Sequence, residues 1–465
     1  MSEQPEECAT EVKSLAKSRA VPRAPAYGTL PTARRRAARG APEGREIDVR
    51  LEVVTPILGG SASTRAVDEV DIVRAPTVRG HLRFWWRALY AAQHTSASAL
   101  YARESQIWGR AATDDGGRSA VELRIDIEKL GHIDNSNIGL STPGAYALWP
   151  AREERGTSTP PAPRRMPGTQ FRLTLIAAAS CETEVRNALR AWILFGGYGS
   201  RTRRGLGSLA VVEDRASWLP FEATRDALAD LFGFDIFASP MSPPDDVPWL
   251  AGAALQVGKA ERDAMRAWTT ALDWLKEFRQ GTGGGPGDRA REPGTGRPQP
   301  QRPSISNWPE ADKVRHLMGK TAAHPPCHNP EPVWPRAGFG LPIIGRFQKQ
   351  ARDGGRYDEP DSFELRWRPH KQQDWEGRNR VASPLIVKAM PLANGTFVPI
   401  ALWLNRAYPS GEVILRGVAG SAAPFDRLVA PGDTPQFRAL EGKTSLREAF
   451  LDWLKGRYHT TVIAP

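Results

Sequence analysis

Apolar and polar residues alternate strictly over residues 47–53, Ile-Asp-Val-Arg-Leu-Glu-Val. A period of two puts Ile47, Val49, Leu51 and Val53 on one face, which predicts a strand with that face buried. The alternation returns over 121–127 and 171–177, and a shorter apolar run follows at 208–212. Between these strands the period lengthens. Over about 78–92, Leu82, Trp85, Trp86 and Leu89 share an arc of about 100°, the stripe by which a helix meets a core. Phe84 points away from that stripe, at about 200° from Leu82. Ala188, Leu189, Trp192 and Ile193 mark a second helix over 181–195. The resulting order is β-α-β-β-α-β, a ferredoxin-like α+β arrangement.

Further along, Trp268, Leu272 and Leu275 predict a long amphipathic helix over about 259–278. Strand-like runs follow at 341–347, 363–367, 385–390 and 397–404, and a last helix is expected over about 445–455. We read 46–215 as an N-terminal domain, 216–240 as a connector and 241–465 as a second α+β domain whose topology the pattern does not give. Residues 281–303 hold 7 Gly and 5 Pro, the composition of a flexible insertion. Residues 1–45 carry Arg34, Arg35, Arg36 and Arg39 with few large apolar residues, the composition of a disordered basic arm.

Charge narrows the choice of partner. Over 465 residues, 63 Lys and Arg against 52 Asp and Glu give a net charge of +11, which favours a polyanion. No apolar run approaches the 18 residues or so of a spanning helix, and no secretory signal is read, so a cytoplasmic protein is expected. The three cysteines, Cys8, Cys181 and Cys327, form no CxxC pair. The spacing of His324, Cys327 and His328 fits no standard zinc template, so no metal or other cofactor is expected. Asp114, Asp115, Asp126 and Asp134 show no spacing suited to acid–base or metal work, and no nucleophile–base arrangement is evident.

Two segments carry candidate chemistry. Residues 196–207, Gly-Gly-Tyr-Gly-Ser-Arg-Thr-Arg-Arg-Gly-Leu-Gly, hold five glycines with Arg201, Arg203 and Arg204. Glycine lets backbone N–H groups approach an anion, and guanidinium forks supply charge and donors. The loop is neither a Walker A nor a GxGxxG motif. The second segment runs from Arg74 through Arg79, His81, Arg83 and Arg87 to Arg110. It has a net charge of +5 over 37 residues, counting Arg103 and the single acid Glu104. Arginines beside aromatics suit RNA. His81 offers a general base for metal-independent RNA cleavage, which keeps an endoribonuclease reading open. A housekeeping RNA-binding module is the other alternative.

The segment from Arg74 to Arg87, Arg-Ala-Pro-Thr-Val-Arg-Gly-His-Leu-Arg-Phe-Trp-Trp-Arg, follows a strand ending in Thr55-Pro56 and the pair Gly59-Gly60. With the glycine loop, the segment from Ser306 to Asp312 and the segment from Arg380 to Lys388, it resembles the RAMP superfamily. Within that family it resembles the first-numbered subunits of the type III-B CRISPR effector, the Cmr complex. The resemblance implies two ferredoxin-like (RRM-like) domains with long loop insertions. It implies a non-catalytic RNA-binding role in antiviral defence, capturing target RNA near the 3′ part of the guide. It also implies guide RNA, target RNA, other RAMP subunits and the large subunit as partners. Residues expected to meet RNA are Arg74, Arg79, His81, Arg83, Arg87, Arg201, Arg203, Arg204, Arg380 and Lys388.

Overall fold

The first alternating run is strand β1 (Gly44–Val53), in which Ile47, Val49, Leu51 and Val53 are all buried. In the computed structural model, α1 (Ala75–Tyr90), β2 (Val121–Lys129), β3 (Thr169–Ala178), α2 (Glu182–Phe195) and β4 (Leu209–Val211) follow. The residues described are 44–61, 63–110, 116–154, 159–241, 247–281, 307–320, 329–347, 359–360, 362–371, 380–433 and 437–465. The basic arm as far as residue 43, the insertion beyond Gly281 and the segment of His324, Cys327 and His328 lie outside the described residues.

The four strands form one antiparallel sheet in the order β2-β3-β1-β4. Second, third, first, fourth is the order of the ferredoxin-like arrangement. Register pairs Leu51 with Phe171, Val49 with Leu173 and Ile47 with Leu175, which gathers the apolar side chains on one face. Helix α1 begins three residues before its expected start. Pro76 sits in its first turn, where the missing N–H costs nothing.

The second half repeats this order. Its elements are β5 (Trp249–Val257), α3 (Ala264–Gln280), β6 (Leu385–Pro391), β7 (Phe397–Asn405), α4 (Leu446–Tyr458) and β8 (Thr461–Ala464). They build an antiparallel sheet β6-β7-β5-β8. Helix α3 starts later than its pattern suggests because the Asp263 side chain accepts from Met265 N and caps it. Residues 281–384 separate α3 from β6, and 406–445 separate β7 from α4. These insertions pair with each other in a further antiparallel sheet of Ile343–Arg346, Ser362–Pro369, Gly411–Leu415 and Ala423–Pro424. A buried ion pair, Lys313 to Asp433 at 2.6 Å, fastens them together, and a second, Arg315 to Glu359 at 2.7 Å, lies within the first insertion.

Helices α1 and α2 lie between the two main sheets. One buried cluster contains Leu51, Leu82, Trp86 and Trp192 together with Leu255, Ile386, Met390 and Ile400. The other face of the second sheet, with Val387, Ala401 and Trp403, packs on Trp268, Leu272, Phe450 and Leu454 of α3 and α4. Strands β6 and β7 are therefore covered on both faces, which is why they read as nearly unbroken apolar runs. Trp86 is fully buried and its indole N–H donates to Glu184 at 2.8 Å. Residues 216–240 contribute Trp218, Leu228, Phe232 and Phe237 to the same core.

One cation interrupts the inner face of β6. Lys388 is fully buried, and its ammonium donates to the carbonyls of Ile193 at 3.0 Å and Gly196 at 2.8 Å. These are orphan acceptors at the C-terminus of α2, where the helix dipole favours a cation. The expectation that Lys388 meets RNA is thus corrected, because its side chain is enclosed by protein.

Burial lowers the Lys388 pKa to about 7. Between that value and its ordinary one near 10.5, the unfolded chain holds a proton that the folded chain releases, so stability rises with pH across this window. We expect the wild type to gain a few kcal/mol relative to Lys388→Met between about pH 7 and pH 10, read by denaturant unfolding. Parallel pH profiles for the two proteins would contradict this.

Candidate nucleic-acid interface

The glycine-arginine loop begins where α2 ends. Gly196 N donates to Trp192 O, and the Trp192 indole N–H donates to Gly197 O at 3.0 Å. The loop then closes on itself and on the end of β1. Tyr198 N donates to Gly207 O, Ser200 N to Leu58 O and Gly207 N to Pro56 O, while the Thr55 hydroxyl donates to Gly205 O. Arg204 N and Gly205 N are bonded within a short 3-10 turn, Thr202–Arg204. These six N–H groups are therefore not free to cradle an anion, which leaves the loop's remaining N–H groups and its arginine side chains to face one.

The loop also wedges the two halves together. The Trp268 indole N–H donates to Arg204 O at 2.7 Å. Arg203 donates to Ser383 O, and Arg204 donates to Leu385 O at 3.3 Å. Arg406, which follows β7, donates to Ala382 O at 3.2 Å. Gly205 has φ +75°, and a Cβ there would overlap the ring of the buried Trp268.

This wedge assembles a run of cations. Arg201 feels the charge of Arg279; Arg204 feels Arg279, Arg201 and Arg203; Arg203 feels Arg406. Only the Tyr146 hydroxyl opposes these repulsions at Arg201 and Arg204. No carboxylate among the described residues pairs with Arg201, Arg203, Arg204 or Arg279. Burial lowers Arg203 to about 10 and Arg204 to about 9, and both remain charged at neutral pH. Arg279 and Arg406 were not expected from the sequence. Each is a single basic residue at the end of an element, and only the tertiary fold brings them to the loop.

The other expected residues divide. Arg79 and Arg201 have no acidic partner among the described residues, and neither does Arg380, which is exposed three residues before Ser383. Burial, and then the charge of Arg83, lower the pKa of Arg79. Arg74 pairs with Asp68, and its backbone N–H donates to the Tyr198 hydroxyl. Arg83 and Arg87 both pair with the buried Glu104, at 2.8 and 3.5 Å. Glu104 lies on a helix that the sequence reading missed, Ala97–Trp108, so these two arginines tie that helix to α1. Both guanidinium groups stay partly exposed, so an RNA contact by Arg83 or Arg87 would be made from within this ion pair. His81 is stacked on Trp192 at 5.8 Å and edge-on to Tyr198, and burial lowers its pKa to about 4.

The wedge makes a direct prediction. Gly205→Ala is expected to cost about 2 kcal/mol or more, from the left-handed backbone and the overlap with Trp268. Thermal unfolding checks this, and an unchanged melting temperature would contradict the packing described.

No group of three His, Cys, Asp or Glu among the described residues is placed to hold a metal, and no helix among them is long and apolar enough to cross a membrane. No curated protein gives a significant match to the chain. Among solved structures, it is similar to Cmr1 from Pyrococcus furiosus in its apo form. Identity is 17%, with 90% of this chain and 98% of that one covered, at a TM-score of 0.47. It is also similar to a chain of the type III-B Cmr-beta complex bound to cognate target RNA. There identity is 12%, with 79% and 96% covered, at a TM-score of 0.40. The family model described as the RAMP superfamily matches residues 50–210, the part of this chain that holds most of the first sheet, helices α1 and α2 and the glycine-arginine loop.

Proposed function

We propose that this chain is a non-catalytic RNA-binding subunit of a type III-B CRISPR ribonucleoprotein, acting in the cytoplasm to hold target RNA near the 3′ part of the guide. The observation that carries the RNA-binding part is the carboxylate-free cluster of Arg201, Arg203, Arg204 and Arg279 where the loop meets the second sheet. Clustered cations repel one another and are tolerated when a polyanion neutralises them. The RAMP-superfamily match and the sequence resemblance supply the assembly, with guide RNA, other RAMP subunits and the large subunit as partners.

Two features of His81 support a role in binding rather than bond cleavage. With a pKa lowered to about 4 it is neutral at physiological pH, far from the value that suits a general base there. No carboxylate or second histidine among the described residues orients its ring; its ring contacts are Trp192 and Tyr198. The cut would then be made elsewhere in the assembly.

The RNA-facing groups follow from the cluster. Of the expected residues, Arg79, Arg201 and Arg380 have guanidinium groups free for phosphate, and Arg279 joins them. Each arginine withdrawn from a phosphate lowers the salt slope of single-strand binding by about 0.7. The double variant Arg201→Ala/Arg279→Ala is therefore expected to bind oligouridylate more weakly, with a slope flattened by about 1.4. The slope should stay unchanged in Lys388→Met. A double variant with the wild-type slope would overturn the proposal.

A further inference from the structure

Between α1 and the start of the glycine loop, beside the cations, lies an open pocket of about 230 Å³. His81, Phe84, Trp85, Gly197, Thr202 and Arg203 are among its lining residues. It is small beside the roughly 300–1,000 Å³ of drug-sized ligand sites, so it admits one flat ring system. Its walls are of two kinds. Phe84, expected from the helical pattern to point away from the core, instead packs half-buried against its edge and presents a ring on which Trp85 abuts edge-on at 5.1 Å and 89°. The Arg203 guanidinium carbon stands 5.8 Å from the centre of the Phe84 ring. Around this ring are polar groups with nothing to bind. The Trp85 indole N–H and the Thr202 hydroxyl make no hydrogen bond among the described residues, and His81 Nε2 has no partner either. Gly196 keeps the indole edge clear, since a Cβ there would lie 2.6 Å from Trp85 Nε1.

A phosphate alone would use the arginines and leave the ring face and the indole N–H idle. A planar heterocycle with edge acceptors uses all of them. We propose that this pocket seats one unstacked nucleobase of a single-stranded RNA, its ring on Phe84 and its edge toward the Trp85 N–H and the Thr202 hydroxyl. The arginine cluster holds the neighbouring phosphates. The inference rests on the RNA-binding reading above and adds to it a fixed point on the strand: backbone contacts slide, whereas a seated base sets the register.

The test uses the full chain and a labelled 12-nucleotide oligouridylate, with affinity read by anisotropy over a salt series. Phe84→Leu keeps an apolar side chain and removes the ring. It is expected to weaken binding about fivefold or more, the loss of one base–aromatic stack, with the salt slope unchanged. Phe84→Tyr is expected to restore affinity, and an abasic ribose-phosphate oligomer should bind wild type and Phe84→Leu alike. Equal affinity of wild type and Phe84→Leu for oligouridylate overturns the base pocket. In that case a slope flattened by Arg201→Ala/Arg279→Ala leaves the backbone reading standing. Failure of the wild type to bind RNA overturns both. If Phe84→Leu does not fold, crosslinking of a 4-thiouridine oligomer to the wild type decides. Crosslinks on the tryptic peptide 84–87 support the pocket, and crosslinks confined to other peptides overturn it.

Discussion

The structure depends on one shared layer. Helices α1 and α2 fill the space between two antiparallel sheets, so that Leu82, Trp86 and Trp192 belong to the same buried cluster as Ile386, Met390 and Ile400. Neither sheet could keep this face away from water without those helices. Within the layer, Lys388 reaches from β6 to the last carbonyls of α2 at Ile193 and Gly196. A buried cation in this place is costly unless its protons are satisfied, and the helix end satisfies two of them. The bond pair fixes the point at which α2 stops and the glycine-arginine loop begins.

The position of the loop has an electrostatic consequence. Many arginines away from the loop meet carboxylates: Arg83 and Arg87 share Glu104, Arg172 meets Asp48, and Arg225 meets Asp235. At the loop they meet one another and the backbone carbonyls of Ala382, Ser383 and Leu385. Carbonyls orient a guanidinium without cancelling its charge, so the cations are held in place while their field stays available to an anion. The glycines serve this placement. Gly205 lets Trp268 pass beneath the loop, and the N–H groups of Tyr198, Arg204, Gly205 and Gly207 close the turn.

Much of the first half could be read from the chain because its signals are local. Strict alternation at 47–53 marked β1, and the Trp85–Trp86 stripe marked the buried face of α1. The second half resisted because two long insertions, one before β6 and one after β7, interrupt its order and themselves contain strands of another sheet. Local periodicity finds β6 and β7 but cannot tell which sheet they join. The site residues divided in the same way. Arg83 looked available because its partner, Glu104, sits 21 residues on, in a helix with no clear stripe. Lys388 looked cationic and free because, in a strand covered on both faces, parity does not distinguish core from surface. Arg279 joins the cluster only through folding, so nothing near it in the chain marks it.

The central claim is that both sheets and the helix layer between them form one cooperative structure, on which the arginine cluster depends. Native-state amide hydrogen exchange under increasing denaturant tests it most directly. The amides of β3 in the first sheet and β7 in the second are expected to open with the same free energy and the same denaturant dependence. Loss of protection in one of these strands, at denaturant concentrations where the other stays protected, would contradict the shared layer.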